Sequence, residues 1–558
     1  MFSKNLFRVS VILVTAFSLS TPSVAEEGQE DLDKAIELQL SAESPQDLEQ
    51  VISYCESALK KGLDEDNAEF AEQLLSSTAY RYGAMLAQFM TRQQPQLREQ
   101  TIKMSLGLLE KAIKYNPELA DAHLLRAELM LRSGGDREDA AESIELAIDL
   151  FAAAEERSKQ AKAYLMRAGL QEDQDKQFDA INQAIKADPD HIEARQMRSQ
   201  FFIARQEFDD AIGDIKHILS VDPTNLDAMR TLAAAHVGQG DVESALEQID
   251  KMIEIRPESP LPYRIRAGVH VTENRIDEAI EDLTRAYELD PRDVGTLLMR
   301  CQVYHENQQL EKAKEDIEKV LRIQPGLVQG IWRRSMISAD QGELTSAIAD
   351  LLLLSQNDPG NAMLRMELAR LYDRDERPRK AIAEYTKVLE EDENNWLARS
   401  MRGTTYISIG AHEEAIADYG KGLEQQPDNE HMLNNLAWIL ATSPKDELRD
   451  GKRALEYGEH ACKVTEFKKA YILSTYAAGF AEVGDFENAI KWSSEAVKRG
   501  SEEIEQTPDD AEKERLTEQV EQLKTELNSY QEGKPWREKQ EVKEKADPLQ
   551  PGRGRFAT

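Results

Sequence analysis

Cysteine is almost missing from this sequence: Cys55, Cys301 and Cys462 are the three in 558 residues. So odd and sparse a set excludes a disulfide framework, and each of the three lies inside a helical apolar pattern. They read as small buried apolar residues. Positive charge is also scarce, with 69 Lys and Arg against 104 Asp and Glu and a formal net charge of −35. That balance makes nucleic acid and anionic lipid poor partners for the chain as a whole. Aromatics make up only 6% while charged residues reach 31%, a composition that suits solvated helices. Beyond the first 25 residues no apolar run approaches membrane length, so no stable membrane insertion is expected from the rest of the chain.

The motifs of common chemistry are missing too. The sequence has no Gly-x4-Gly-Lys-Ser/Thr phosphate loop, no Gly-x-Ser-x-Gly elbow and no His-Glu-x-x-His pair. His412-Glu413 begins like the last of these, but Ile416 stands where the second histidine would be. The nine histidines are scattered without metal-ligand spacing. Acidic pairs such as Asp209-Asp210 and Glu413-Glu414 stand where second helices begin, where negative charge complements the helix dipole. No catalytic, cofactor-binding or metal-ligating residue is assigned, and no enzyme activity is expected.

What is present begins with a leader. Lys4 and Arg8 precede the apolar stretch Val9 to Ser20, and Ser23-Val24-Ala25 offers a small-x-small cleavage site. Residues 1–25 read as a signal peptide, which predicts an exported, periplasmic or secreted chain. An uncleaved anchor is the competing reading. No cysteine follows the apolar core, which argues against a lipoprotein.

The strongest signal is a period. Pro189, Pro223, Pro257, Pro291, Pro325 and Pro359 are each 34 residues after the last, Glu393 takes the proline's place, and Pro427 resumes the count. Ala211, Ala245, Ala279, Ala313, Ala347, Ala381 and Ala415 keep the same spacing. Each unit holds two helical stripes. In 226–257 the first stops at Gly238-Gln-Gly240, Asp241 supplies an N-cap, and Pro257 ends the second. A single such pair cannot bury its own apolar face, so neighbours must stack.

This pattern resembles the tetratricopeptide repeat, with small residues at positions 8 and 27, alanine at 20 and proline at 32. In 260–293 these are Ala267, Ala286, Ala279 and Pro291; in 396–429 they are Gly403, Gly422, Ala415 and Pro427. The resemblance implies an all-α fold: a right-handed α-solenoid of about thirteen helix-turn-helix repeats with a C-terminal capping helix. Irregular helix pairs are expected over 26–120, degenerate units over 121–191 and the regular array over 192–429. Closing units follow over 430–500, with an insertion near 442–451. A capping helix is expected within 501–531 and a disordered tail over 532–558, whose Trp536 either pins its start to the last helix or stands exposed.

Inside the regular array one departure recurs. Arg198, Arg266, Arg300, Arg334 and Arg402 occupy position 7, where the family usually has leucine. Sixteen residues on, the same units carry Asp214, Asp282, Asp316, Asp350 and Asp418 at position 23. Two undisturbed units with leucine at position 7, Leu232 and Leu368, have Gln248 and Glu384 instead. Covariation between copies implies contact, so five desolvated Arg–Asp bridges are expected across the helix hairpins. Anion capture by these arginines is the competing reading, and an internal counter-ion for each one weakens it.

In the family the inner, concave wall is lined near positions 2, 5, 9 and 12 of the first helix. Carried over, the expected partner-binding groove comprises Arg230, Arg264, Trp332, Met336, Met366, Arg370, Asn434 and Trp438. Its three arginines lie off position 7 and read as unpaired. Ordinary packing competes for Met336 and Met366. Asn434 and Asn435 lack the flanking lysines of the family's carboxylate clamp, so that specificity is not carried over. The resemblance implies a non-enzymatic extracytoplasmic scaffold binding protein or peptide segments. The alternative is a recruiting or regulatory subunit of a cell-envelope enzyme or assembly complex.

Overall fold

In a computed structural model, residues 25–89, 95–539 and 544–545 are described. They form 27 α-helices and a short 3-10 turn at Asp446–Leu448, with no strand among the described residues. The signal-peptide reading falls on residues of which 1–24 lie outside this set. Two compact units divide the chain, one ending at Glu258 and the other beginning at Ser259.

The first unit holds six helix pairs, from Ala25–Ser41 with Pro45–Lys61 to Leu226–Gln239 with Val242–Ile255. The second holds seven, from Pro260–Thr272 with Ile276–Leu289 to Ala470–Glu482 with Phe486–Gln506. Within each unit every helix packs on the next in sequence. The fold is the expected all-α series of helix–turn–helix pairs, and the pairs number thirteen. The helix Asp510–Gln531 packs on Phe486–Gln506, burying Leu516, Val520, Leu523 and Tyr530. Residues 501–506 belong to the last helix of the final pair rather than to this cap.

The local chemistry follows the period. Asp241 caps its helix by accepting the Ser244 amide at 3.1 Å, and Gly240 closes the preceding helix with φ +80°. The same turn position is left-handed in Gln206, Asn274, Gln308 and Glu376, which carry side chains. Left-handed backbone costs a non-glycine residue about 1 kcal/mol, so packing of the helix pair overrides the local preference there. The period-marking alanines, Ala211 to Ala415, are all fully buried. At Gly403 a Cβ would stand 2.9 Å from the Tyr419 ring, which explains the small residue at position 8. The three cysteines are buried and free, and burial pushes their thiols up to about 12.

One sequence expectation needs correction. Residues 532–539 are not a detached tail. Trp536 packs on the hydrophobic cluster that closes the second unit, Arg537 pairs with Glu482 at 2.7 Å, and the Glu538 amide donates to the Thr442 carbonyl at 3.0 Å. A polar, glycine- and proline-containing sequence is ordered here because backbone and charged groups of the helix turns receive it. The rest of the expected tail, apart from residues 544–545, lies outside the described residues.

Candidate protein-interaction surface

The position-7 arginines face the position-23 aspartates across each hairpin. Arg198, Arg266, Arg300, Arg334 and Arg402 each donate through Nε and Nη2 to both oxygens of Asp214, Asp282, Asp316, Asp350 and Asp418, at 2.6–2.9 Å. The aspartates are buried. A planar guanidinium is suited to this two-pronged contact. Three arginines use their remaining Nη1 on the preceding repeat: Arg198 on Asn182 at 2.9 Å, Arg300 on Thr284 at 3.4 Å and Arg402 on Thr386 at 2.9 Å. Each therefore ties its own hairpin and stitches it to its neighbour. Each of these arginines has an internal counter-ion.

Sequence reasoning missed a second tie at position 4. Arg195 reaches Asp214 at 2.7 Å, and in the leucine repeat Arg365 reaches Glu384 at 3.1 Å. The signal was available: an arginine recurs at residues 195, 365 and 399. An irregular early unit has its own version, with Arg126 bidentate on Asp139 at 2.9 and 2.7 Å.

The expected groove separates into three kinds of residue. Its arginines are not unpaired. Arg264 meets Asp293 at 2.5 Å, Arg370 donates to Glu367 at 3.0 and 2.5 Å, and Arg230 stands 3.6 Å from Asp227. Acidic residues one turn away, or at the next helix start, supply the counter-ions. The covariation argument overlooked them because it followed only position 23. The apolar members, Trp332 and Met366, are half-buried and pack on one cluster with Ile331, Leu351 and Leu368. Met336 is half-buried one turn beyond Trp332.

The third kind lies at the far end. Asn434 is buried, with its Oδ1 unpartnered, and Trp438 is half-buried. Both line a cavity of about 560 Å³ between the helices Glu430–Thr442, Ala470–Glu482 and Asp510–Gln531. Its wall also holds Glu526, whose carboxyl burial pushes upward against hydrogen bonds from Ser474 and Gln522.

Position 2 is the residue class the groove assignment left unused. Leu261, Met363 and Leu397 stand there, 39%, 66% and 46% exposed, on first helices of the second unit. Residues 363 and 397 are one 34-residue period apart, and 261 precedes 363 by three periods. On a helix, positions 2 and 5 are neighbours, so Met363 adjoins Met366. An exposed apolar edge therefore borders the half-buried Trp332 and Met366.

Three tetratricopeptide-repeat family models match the chain, over residues 202–268, 366–443, and 266–293 with 296–326. The chain is a tetratricopeptide repeat protein. Solved structures that resemble this tetratricopeptide repeat protein include YrrB, described as having an unusual peptide-binding site. It is 21% identical, covering 34% of this chain and 97% of that one with a TM-score of 0.30. PilF of Pseudomonas aeruginosa is 19% identical, covering 36% and 92%, with a TM-score of 0.31. The APC/C hetero-tetramer Cut9–Hcn1 is 14% identical, covering 81% and 96%, with a TM-score of 0.30. These scores are low, and the identification rests on the family models together with the 34-residue period. No curated protein matches the chain at a significant level. The repeat fold is a protein-binding scaffold fold. Among the described residues no helix is long and apolar enough to cross a membrane.

Proposed function

We propose that this protein is a non-enzymatic scaffold that holds an extended protein or peptide segment along the first helices of its second unit. One observation carries the reading. Leu261, Met363 and Leu397 recur at the second position of their helices and are exposed, and Met363 adjoins half-buried Met366, which packs with Trp332 on one cluster. Adaptable methionine and aromatic surface of this kind is favoured at protein interfaces. Arg264 and Arg370, already neutralised by Asp293 and Glu367, act as a polar rim. We further propose that the chain works outside the cytoplasm, a reading supported by the signal-like pattern of residues 1–25.

The test is site-specific photo-crosslinking in the native host. A crosslinker at position 363 or 397 is expected to capture one discrete partner, and one at exposed Leu353 on a second helix is not. Met363→Asp with Leu397→Asp should abolish that adduct without lowering the melting temperature. Equal capture from 353, or an adduct untouched by the double substitution, would move the binding surface elsewhere.

A further inference from the structure

The second unit already holds an extended segment, and it is the protein's own. After the helix Asp510–Gln531 the chain turns at Gly533, whose φ is +71°, and runs back across the turns that join first to second helices. Residues 536–539 and 544–545 touch four of these turns in reverse order. Trp536 packs on the buried apolar cluster that closes the second unit, whose members include Leu440, Ile472 and Leu473. Arg537 donates to the Ala441 carbonyl at 3.3 Å and pairs with Glu482 at 2.7 Å. Glu538 donates its amide to the Thr442 carbonyl at 3.0 Å, and its carboxylate stands 3.5 Å from His412 Nε2. Farther along, the Lys545 amide donates to the Glu376 carbonyl at 2.9 Å while its ammonium meets Asp375 at 3.2 Å.

The turns that receive this segment are built unlike ordinary exposed turns. His412 is 1% exposed, and Asp375 and Arg377 are also buried. Arg449 holds Glu482 from the other side at 2.9 Å, fixing the carboxylate that Arg537 meets. Between the segment and the first helices lies a cavity of about 550 Å³, lined by Asp373, Met401, Thr404, Thr405 and Ile407 with Glu538 and Lys539 on its outer side. The segment's contacts come from backbone carbonyls at helix ends, fixed charges and one aromatic anchor, which are the parts of a peptide-recognition site.

We propose that this turn-edge channel is a recognition site for an extended segment reading aromatic–arginine–glutamate, and that Trp536-Arg537-Glu538 is its resident occupant. A partner carrying the same triplet displaces the resident segment and binds in its place. Glu482 selects the arginine, the Thr442 carbonyl sets the register, and the buried apolar cluster anchors the first residue. This site is distinct from the exposed position-2 edge, since Met363 and Leu397 are not among the residues that line the cavity.

The test uses the full-length chain and a fluorescent peptide of residues 533–545. Arg537→Glu in the chain weakens the resident segment and should raise peptide affinity about tenfold over wild type. Peptides with Ala for the tryptophan, or Glu for the arginine, should bind that variant about tenfold more weakly. A second protein guards against misfolding: the full-length chain with a protease site inserted after Gly533, cut in place, should exchange its segment for labelled peptide. The proposal is overturned if neither protein binds the peptide while both melt like wild type, or if binding ignores the triplet. Either failure leaves the crosslinking result at 363 and 397 standing.

Discussion

Two repeats of the second unit solve the same packing problem with different chemistry. In 294–327, Arg300 and Asp316 close the hairpin with bonds of 2.7 and 2.9 Å, and their side chains are 7% and 2% exposed. In 362–395 the equivalent residues are Leu368 and Glu384. Leu368 joins the apolar cluster with Leu351 and Leu354, and Glu384 is held instead by Arg365 at 3.1 Å and Lys387 at 2.7 Å. The comparison teaches that position 23 carries an acid tied to the first helix in both. What changes is the origin of the cation, which comes from position 7 in the first repeat and from position 4 in the second. The sharpest way to break this comparison is Asp316→Ala. It strands the Arg300 charge in the interior and should cost about 3–5 kcal/mol, read as a fall in the urea midpoint. The double substitution Arg300→Leu with Asp316→Leu copies the apolar solution and should cost much less. Equal losses from the two proteins would show that packing, not the stranded charge, sets the penalty.

A smaller effect is expected on the other side of the comparison. Arg365→Ala removes the position-4 cation, but Lys387 still faces Glu384 and is 47% exposed, so it can follow the carboxylate. The loss should be about 1–2 kcal/mol, the cost of weakening one hydrogen-bonded charge rather than orphaning it. Urea unfolding of Arg365→Ala beside Asp316→Ala ranks the two. A loss at Arg365 as large as at Asp316 would mean that the leucine repeat is no more tolerant than the arginine repeat.

The Arg–Asp ties were legible because they repeat: five copies vary together, and the 34-residue ruler places both partners. The fold was legible for the same reason, since proline, alanine and turn residues recur in phase. The position-4 arginines repeat as well and were within reach, but the rest of what escaped the sequence does not repeat. Arg264 and Arg370 take their counter-ions from Asp293 and Glu367, which occupy no shared position. Residues 532–539 carry no apolar periodicity, and their order depends on Glu482, Thr442 and His412, brought together only by stacking of the last repeats. The exposed Met363 and Leu397 were within reach of sequence reasoning. They stand at position 2, a wall position whose residues the groove assignment did not take up.

The subtlest test of the comparison concerns a half-buried carboxylate whose hydrogen bonds come from hydroxyl groups alone. Asp373, also in the leucine repeat, accepts from Thr405 at 2.8 Å and Tyr385 at 3.3 Å. Burial pushes its carboxyl from an ordinary 3.8 to about 6, overcoming those two hydrogen bonds. A folded-state value raised above the unfolded one means the folded chain holds its proton more tightly. The stabilisation is complete below about pH 4 and is lost as pH rises through about 6. At pH 7.5 the folded chain then carries a disfavoured charge, unlike the position-23 aspartates, which arginine neutralises. Asp373→Asn keeps the acceptor and removes the charge. It should raise the unfolding free energy at pH 7.5 by about 1 kcal/mol, a figure reduced for the partial exposure of the group. At pH 4.5 wild type and variant should coincide within error in thermal melts. If the gain persists at pH 4.5, the carboxylate is not what the substitution relieves, and the contrast between paired and unpaired buried acids falls with it.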